Sequence, residues 1–253
     1  MTFAIYPSLA GRVAFVSGGA TGIGADIVRA FARNHARVAF VDLQRDEGAK
    51  LSETLNSGGE TALFLPCDVT DVVALKESIA EAGAELGPIA ILVNNAANDE
   101  RHAVADVTPD YWDRAQNVNL RHHFFAAQAV HPQMRELGFG SIINLSSVAW
   151  RGAAEMPVYS AAKAGILGLT HALARAFGAD NIRVNAIEPG AVMTDRQQRL
   201  WYKTPESVAA MVQRQSIKET LLGDDIARMA LFLGADDSRM VTKQSITVDA
   251  GLR

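Results

Sequence analysis

The sequence predicts a doubly wound α/β fold, with a parallel sheet of about seven strands and helices on both faces. Three observations carry that expectation. Short β-rich apolar runs alternate with longer segments of helical period, the first run ends in glycines that open a helix, and the alternation continues almost to the last residue. Strands joined through helices pair in parallel by right-handed crossovers, which covers both faces of the sheet. No repeat, low-complexity tract or Pro/Ser linker interrupts the pattern, so one domain over residues 1–253 is expected.

The elements follow in order. Arg12–Ser17 is a buried strand, and the helix after it runs from about Gly22 to Asn34 with Ile23, Ile27, Ala30 and Phe31 on one face. Arg37–Asp42 is the next strand, followed by a helix over Asp46–Leu55, a strand over Thr61–Leu65, a helix over Asp71–Leu86 and a strand over Ile89–Val93. Pro109 suits a first helical turn after Thr108 and opens a long helix to about Val130. Strand Ser141–Leu145, helix Val158–Phe177 and strand Ile182–Ile187 come next. A helical excursion near Asp195–Glu219 is expected as a lid, before helix Asp224–Leu233 and strand Ser245–Val248.

Composition narrows the class. Lys and Arg number 24 against 28 Asp and Glu, a net charge of −4 that gives no general attraction to nucleic acid or an anionic membrane. Cys67 is the single cysteine, so no intrachain disulfide is possible and no metal site is expected. No run approaches a membrane span, and Met1–Pro7 lacks the basic start of a secretion signal; a soluble cytoplasmic protein is expected.

Between the first strand and first helix lies Ser17-Gly18-Gly19-Ala20-Thr21-Gly22-Ile23-Gly24. Small residues there let backbone approach a pyrophosphate, whose charge a helix N-terminus stabilises; a ligand-free tight turn is the plainer alternative. Asp42 ends the second strand 18 residues after Gly24, near the place of an acid that binds adenosine ribose hydroxyls and repels a 2′-phosphate. That favours NAD over NADP, although Arg45 is close enough in sequence to accept a phosphate.

Tyr159 and Lys163 are four residues apart on one helix face. An ammonium beside a phenol favours phenolate and eases removal of a proton from an alcohol. Upstream, Ser146 and Ser147 close a strand at the edge where open α/β sheets bind ligands, and a hydroxyl there can hold a substrate oxygen.

Together these motifs resemble the short-chain dehydrogenase/reductase family along essentially the whole chain. Ser17 replaces the threonine that opens the family's glycine motif, and Ala97 replaces the glycine of its Asn-Asn-Ala-Gly segment at Asn94–Ala97. The resemblance implies a Rossmann-type fold and a nicotinamide cofactor held by Gly18, Thr21, Gly22, Ile23, Gly24, Asp42, Asp68, Val69, Asn95, Ala96, Tyr159, Lys163, Pro189, Gly190, Val192 and Thr194. It implies a proton relay with Tyr159 as acid/base and Ser147 orienting the substrate oxygen. Lys163 would lower the tyrosine pKa and hold the nicotinamide ribose, and Asn119 would position a water. The family spacing of 13 residues fits Ser146, while the Ser-Ser-Val-Ala pattern fits Ser147 at 12; Ser147 is the expected one. A homotetramer is a further family expectation.

For substrate, Asn94–His102, Thr194–Tyr202 and the ending Val248–Arg253 resemble the bacterial aldose 1-dehydrogenases of this family, which oxidise C1 of a cyclic sugar to a lactone. Asn98, His102, Ser147 and Trp150 are the expected substrate contacts. The Val148–Pro157 loop departs from those enzymes. The alternatives are a ketone or 3-oxoacyl reductase and a non-catalytic nucleotide-binding regulatory protein.

Overall fold

A computed structural model describes residues 3–252; Met1, Thr2 and Arg253, at the ends of segments read above, lie outside the described residues. The chain alternates as β1 (Val13–Ser17), α1 (Gly22–Arg33), β2 (Arg37–Asp42), α2 (Arg45–Ser57), β3 (Thr61–Pro66), α3 (Val72–Leu86) and β4 (Ile89–Asn94). It continues through α4 (Pro109–Gln116), α5 (His122–Leu137), β5 (Gly140–Leu145), α6 (Pro157–Phe177), β6 (Ile182–Pro189), α7 (Asp195–Leu200), α8 (Pro205–Gln213), α9 (Gly223–Gly234) and β7 (Ser245–Val248). Among the described residues the seven strands form one parallel sheet in the order β3-β2-β1-β4-β5-β6-β7.

Alternation along β1 sends side chains to two cores. Ala14 and Val16 pack with Phe31 of α1 and Ile226 and Leu231 of α9. Val13 and Phe15 pack with Ile79 of α3, Val130 of α5 and Leu173 of α6. Burial on both faces is what a parallel sheet requires, and it explains the unbroken apolar runs. The chain winds outward from β1 to β3, then returns to start again at β4, so the crevice opens at the carboxyl ends of β1 and β4. In register, Ser17 lies beside Asn94 and Asn94 beside Asn144, so the loops after β1, β4 and β5 leave from one edge.

Two elements differ from the sequence expectation. The long helix expected over 109–130 is broken by a π-helical turn at Asn117–Arg121, and its second part runs on to Leu137 through Pro132. The Asn119 side chain donates to the Ala115 carbonyl at 2.9 Å, taking the acceptor its own amide would use and widening the ladder by a residue. The excursion at 195–219 is two short helices, α7 and α8, each starting at a threonine whose hydroxyl accepts a first-turn amide. No helix among the described residues is long and apolar enough to cross a membrane.

Candidate active site

The glycine loop is shaped by close backbone approach. Gly18 has φ +66° and Gly22 φ +55°, left-handed values that suit glycine. A Cβ on Gly24 would stand 1.8 Å from the Gly18 carbonyl oxygen, so α1 begins in contact with the loop's own backbone. The Ser17 hydroxyl accepts from the Asn95 and Ala96 amides at 3.0 and 3.2 Å, and the Asn95 side chain donates to the Gly18 carbonyl at 2.8 Å. Serine thus does the joining work at the place where the family motif has threonine. Thr21 precedes α1 without capping it; its hydroxyl instead accepts from Gln44 at 2.9 Å. The first-turn amides of a 12-residue helix are left for an anion such as a dinucleotide's pyrophosphate, and the glycines let the loop pack closely on its own neighbours.

Asp42 lies beside this loop, one carboxylate oxygen accepting from the Ala20 amide and the other from the Gln44 amide, each at 3.0 Å. Asp68 folds its turn by accepting from the Thr70 amide and hydroxyl at 2.8 Å, with Val69 buried behind it. From β6, Gly190 is bonded through its amide to the Val248 carbonyl, Val192 is buried, and a Cβ on Gly22 would meet the Thr194 methyl at 3.3 Å. The predicted nucleotide residues therefore gather along one sheet edge. Ile23 and Ala96 are half-buried against the two cores.

The residues expected to react lie on α6 and just after β5. Tyr159 and Lys163 share a face of α6, the ammonium 5.4 Å from the phenol ring centre. Lys163 is buried and donates to the Leu145 carbonyl at 2.7 Å. The two serines part company: Ser146 is buried and donates to the Lys163 carbonyl at 2.7 Å, whereas Ser147 is near enough to Tyr159 to hold its phenol pKa down. Ser147 also caps a 3₁₀ turn, Val148–Arg151, by accepting from the Ala149 amide at 3.1 Å. Asn119 grips residue 98 from both sides, its side chain accepting from the Asn98 amide at 2.8 Å and donating to the Asn98 carbonyl at 3.1 Å.

Electrostatics depart from the expectation for Lys163. Burial pushes the Tyr159 phenol above the ordinary tyrosine range and the Asp99 carboxylate adds to the rise; the Ser147 hydrogen bond and the Arg196 guanidinium oppose it. Burial also pulls Lys163 down to about 7, against Asp99, so its charge is weakened just where the resemblance relies on it. Behind Lys163, burial holds His122 at about 3 and His123 well below the usual histidine range, and both rings are neutral.

Three of the expected substrate side chains are committed elsewhere. The Asn98 side-chain oxygen accepts from Arg196 at 2.7 Å. One His102 ring nitrogen meets the Tyr111 hydroxyl at 2.8 Å. Trp150 points its indole N–H at Glu188, 2.5 Å away. Sequence reasoning missed Asp99, which takes Arg196 at 3.2 Å and Gln197 at 2.5 Å and so ties α7 to the loop after β4. It also missed Glu188, near the end of β6, whose role depends on partners distant in sequence. Among the described residues no three His, Cys, Asp or Glu side chains group as a metal site.

Comparison with known proteins identifies the family. The family model described as "Enoyl-(Acyl carrier protein) reductase" matches residues 18–253. The chain is 47% identical to the "Probable galactose dehydrogenase GalD" of Rhizobium meliloti (strain 1021), over 98% of this chain and 97% of that protein. It is 42% identical to the D-xylose 1-dehydrogenase of Caulobacter vibrioides (strain NA1000 / CB15N), over the whole of both. Among solved structures it resembles a blue fluorescent protein from a metagenomic library in complex with NADPH, with TM-score 0.89 and 35% identity over 96% of this chain and 98% of that one.

Proposed function

Since the chain belongs to the short-chain dehydrogenase/reductase family, we propose that it oxidises the ring C1 hydroxyl of an aldose to the aldonolactone, with NAD as acceptor. It is an oxidoreductase that works with a nicotinamide cofactor on a small-molecule substrate. The likeness to galactose and xylose dehydrogenases over the full chain carries the choice of an aldose. Asp99, Arg196 and Gln197 form a polar network between the loop after β4 and α7, and a polyhydroxylated ligand could exchange its own hydroxyls for those bonds.

Tyr159, as phenolate, takes the C1 hydroxyl proton and becomes the phenol that burial favours, and Ser147 beside it holds the same oxygen as charge develops on it. The nicotinamide, when bound, accepts the hydride from C1. Lys163, anchored by the Leu145 carbonyl near the phenol, would hold the nicotinamide ribose, and Asn119 fixes the loop that carries Asn98 and Asp99. Arg196 and Gln197 on α7 close the crevice as a lid through Asp99. Exposed Trp112 and Phe124, on α4 and α5, suit the helix packing of a homotetramer.

NAD is preferred because the Asp42 carboxylate, fixed beside the glycine loop, repels a 2′-phosphate. Asp42→Ala should shift the ratio of NADP to NAD kcat/KM upward by roughly tenfold or more, about 1.4 kcal/mol of differential binding. An unmodified protein that already prefers NADP sinks this assignment and points to Arg45. The functional test is a panel of aldoses, polyols and ketones assayed with both cofactors. Turnover confined to 3-oxoacyl or simple ketone substrates would replace the aldose reading with that of a reductase.

A further inference from the structure

The structure holds an acid that the relay does not use. Glu188, the penultimate residue of β6, is 3% exposed; among the described residues it and Asp249 are the buried carboxylates. One of its oxygens receives the Trp150 indole N–H at 2.5 Å and the Arg151 guanidinium at 2.9 Å, and Arg151 also donates to Thr247 on neighbouring β7. Trp150 and Arg151 end the 3₁₀ turn that Ser147 begins. The other side of that turn is tied to the catalytic helix, because Ser160, next to Tyr159, donates to the Ala149 carbonyl at 2.9 Å. At Gly152, with φ +121°, the chain leaves the clamp.

The turn is therefore held at two points, one on α6 and one on β6, and Ser147 sits at its start. We propose that Glu188 is a positioning residue for Ser147, holding through Trp150 and Arg151 the turn that brings the Ser147 hydroxyl against Tyr159. A buried ion pair is a poor source of stability, since desolvation offsets most of its attraction. Both donors here reach water, Trp150 being 37% exposed. Loss of Glu188 leaves neither donor stranded in a dry interior, so its effect falls on geometry more than on folding. Because Glu188 precedes Pro189 and Gly190, the same clamp couples the serine turn to the segment beside the nicotinamide.

The inference rests on the relay reading of Ser147, and a double-mutant cycle separates the two. Glu188→Leu, Ser147→Ala and their combination are assayed for kcat, NADH dissociation constant and thermal midpoint, with Glu188→Gln as the conservative variant. Glu188→Leu should lower kcat by roughly tenfold or more, as expected when a reacting group is misplaced, and leave NADH affinity within about threefold. Glu188→Gln, which keeps an acceptor for both donors, should recover most of the loss. The combined variant should be no slower than Ser147→Ala alone, because both act on one hydroxyl. Multiplying losses, or an unchanged kcat in Glu188→Leu, overturn the proposal. Normal turnover in Ser147→Ala overturns the relay reading and this role with it. If Glu188→Leu does not fold, Trp150→Phe with Arg151→Met removes the same clamp from its exposed side, and the same non-additivity with Ser147→Ala is required.

Discussion

Tyr159→Phe should turn over substrate at least ~10²-fold more slowly than the unmodified protein, about 2.7 kcal/mol of lost transition-state stabilisation, while still binding NADH. The phenyl ring keeps the place of the phenol on α6, so packing and the cofactor groove are retained. What disappears is the hydroxyl near Ser147 that is proposed to take the alcohol proton. Lys163 cannot replace it: it is buried, donates to the Leu145 carbonyl, and its nitrogen is 5.4 Å from the ring centre. Stopped-flow measurement of the first turnover, beside NADH titration by fluorescence, separates chemistry from binding. Near-normal turnover in Tyr159→Phe contradicts the mechanism.

Gly24→Ala should lower NADH affinity by roughly 10- to 100-fold and cost about 1–3 kcal/mol of stability, the usual range for an overpacked site. The added methyl would stand 1.8 Å from the Gly18 oxygen and 2.6 Å from the Asn95 side-chain nitrogen. The first of these is backbone and cannot rotate away, so the loop or the start of α1 must move. That movement spoils the amide cradle expected to hold the pyrophosphate. Gly178→Ala is the control, because nothing lies within 4 Å of its Cβ position and its φ of −61° is ordinary. A Gly24→Ala protein that binds NADH like the unmodified one contradicts the placement of the cofactor.

Most of the fold is legible in the sequence because its signals are local. A strand buried on both faces must be apolar nearly throughout, and Val13–Ser17, Arg37–Asp42 and Ile89–Asn94 carry that pattern in their residues alone. Gly18 and Gly24 are legible because backbone contact leaves no other residue suitable, and Gly22 because its φ is left-handed. The break at Asn117–Arg121 is not, since it depends on one asparagine choosing a carbonyl four residues back rather than solvent. Glu188 and Asp99 escape for a related reason. Their roles arise from partners 37 and 97 residues distant, Arg151 and Arg196, and nothing in the local pattern foretells those meetings. The weakened charge on Lys163 likewise reflects burial, which spacing from Tyr159 does not reveal.

Which carbon of the substrate reacts decides whether the protein is an aldose 1-dehydrogenase. A pentose or hexose that the protein oxidises should be compared with its 1-deoxy analogue under NAD, following NADH and identifying the product by NMR. The aldose should yield the aldonolactone and one NADH per molecule, and the 1-deoxy compound, lacking the hydroxyl whose proton Tyr159 takes, should be essentially inert. Equal turnover of the 1-deoxy compound would place the chemistry at another carbon and contradict the assignment.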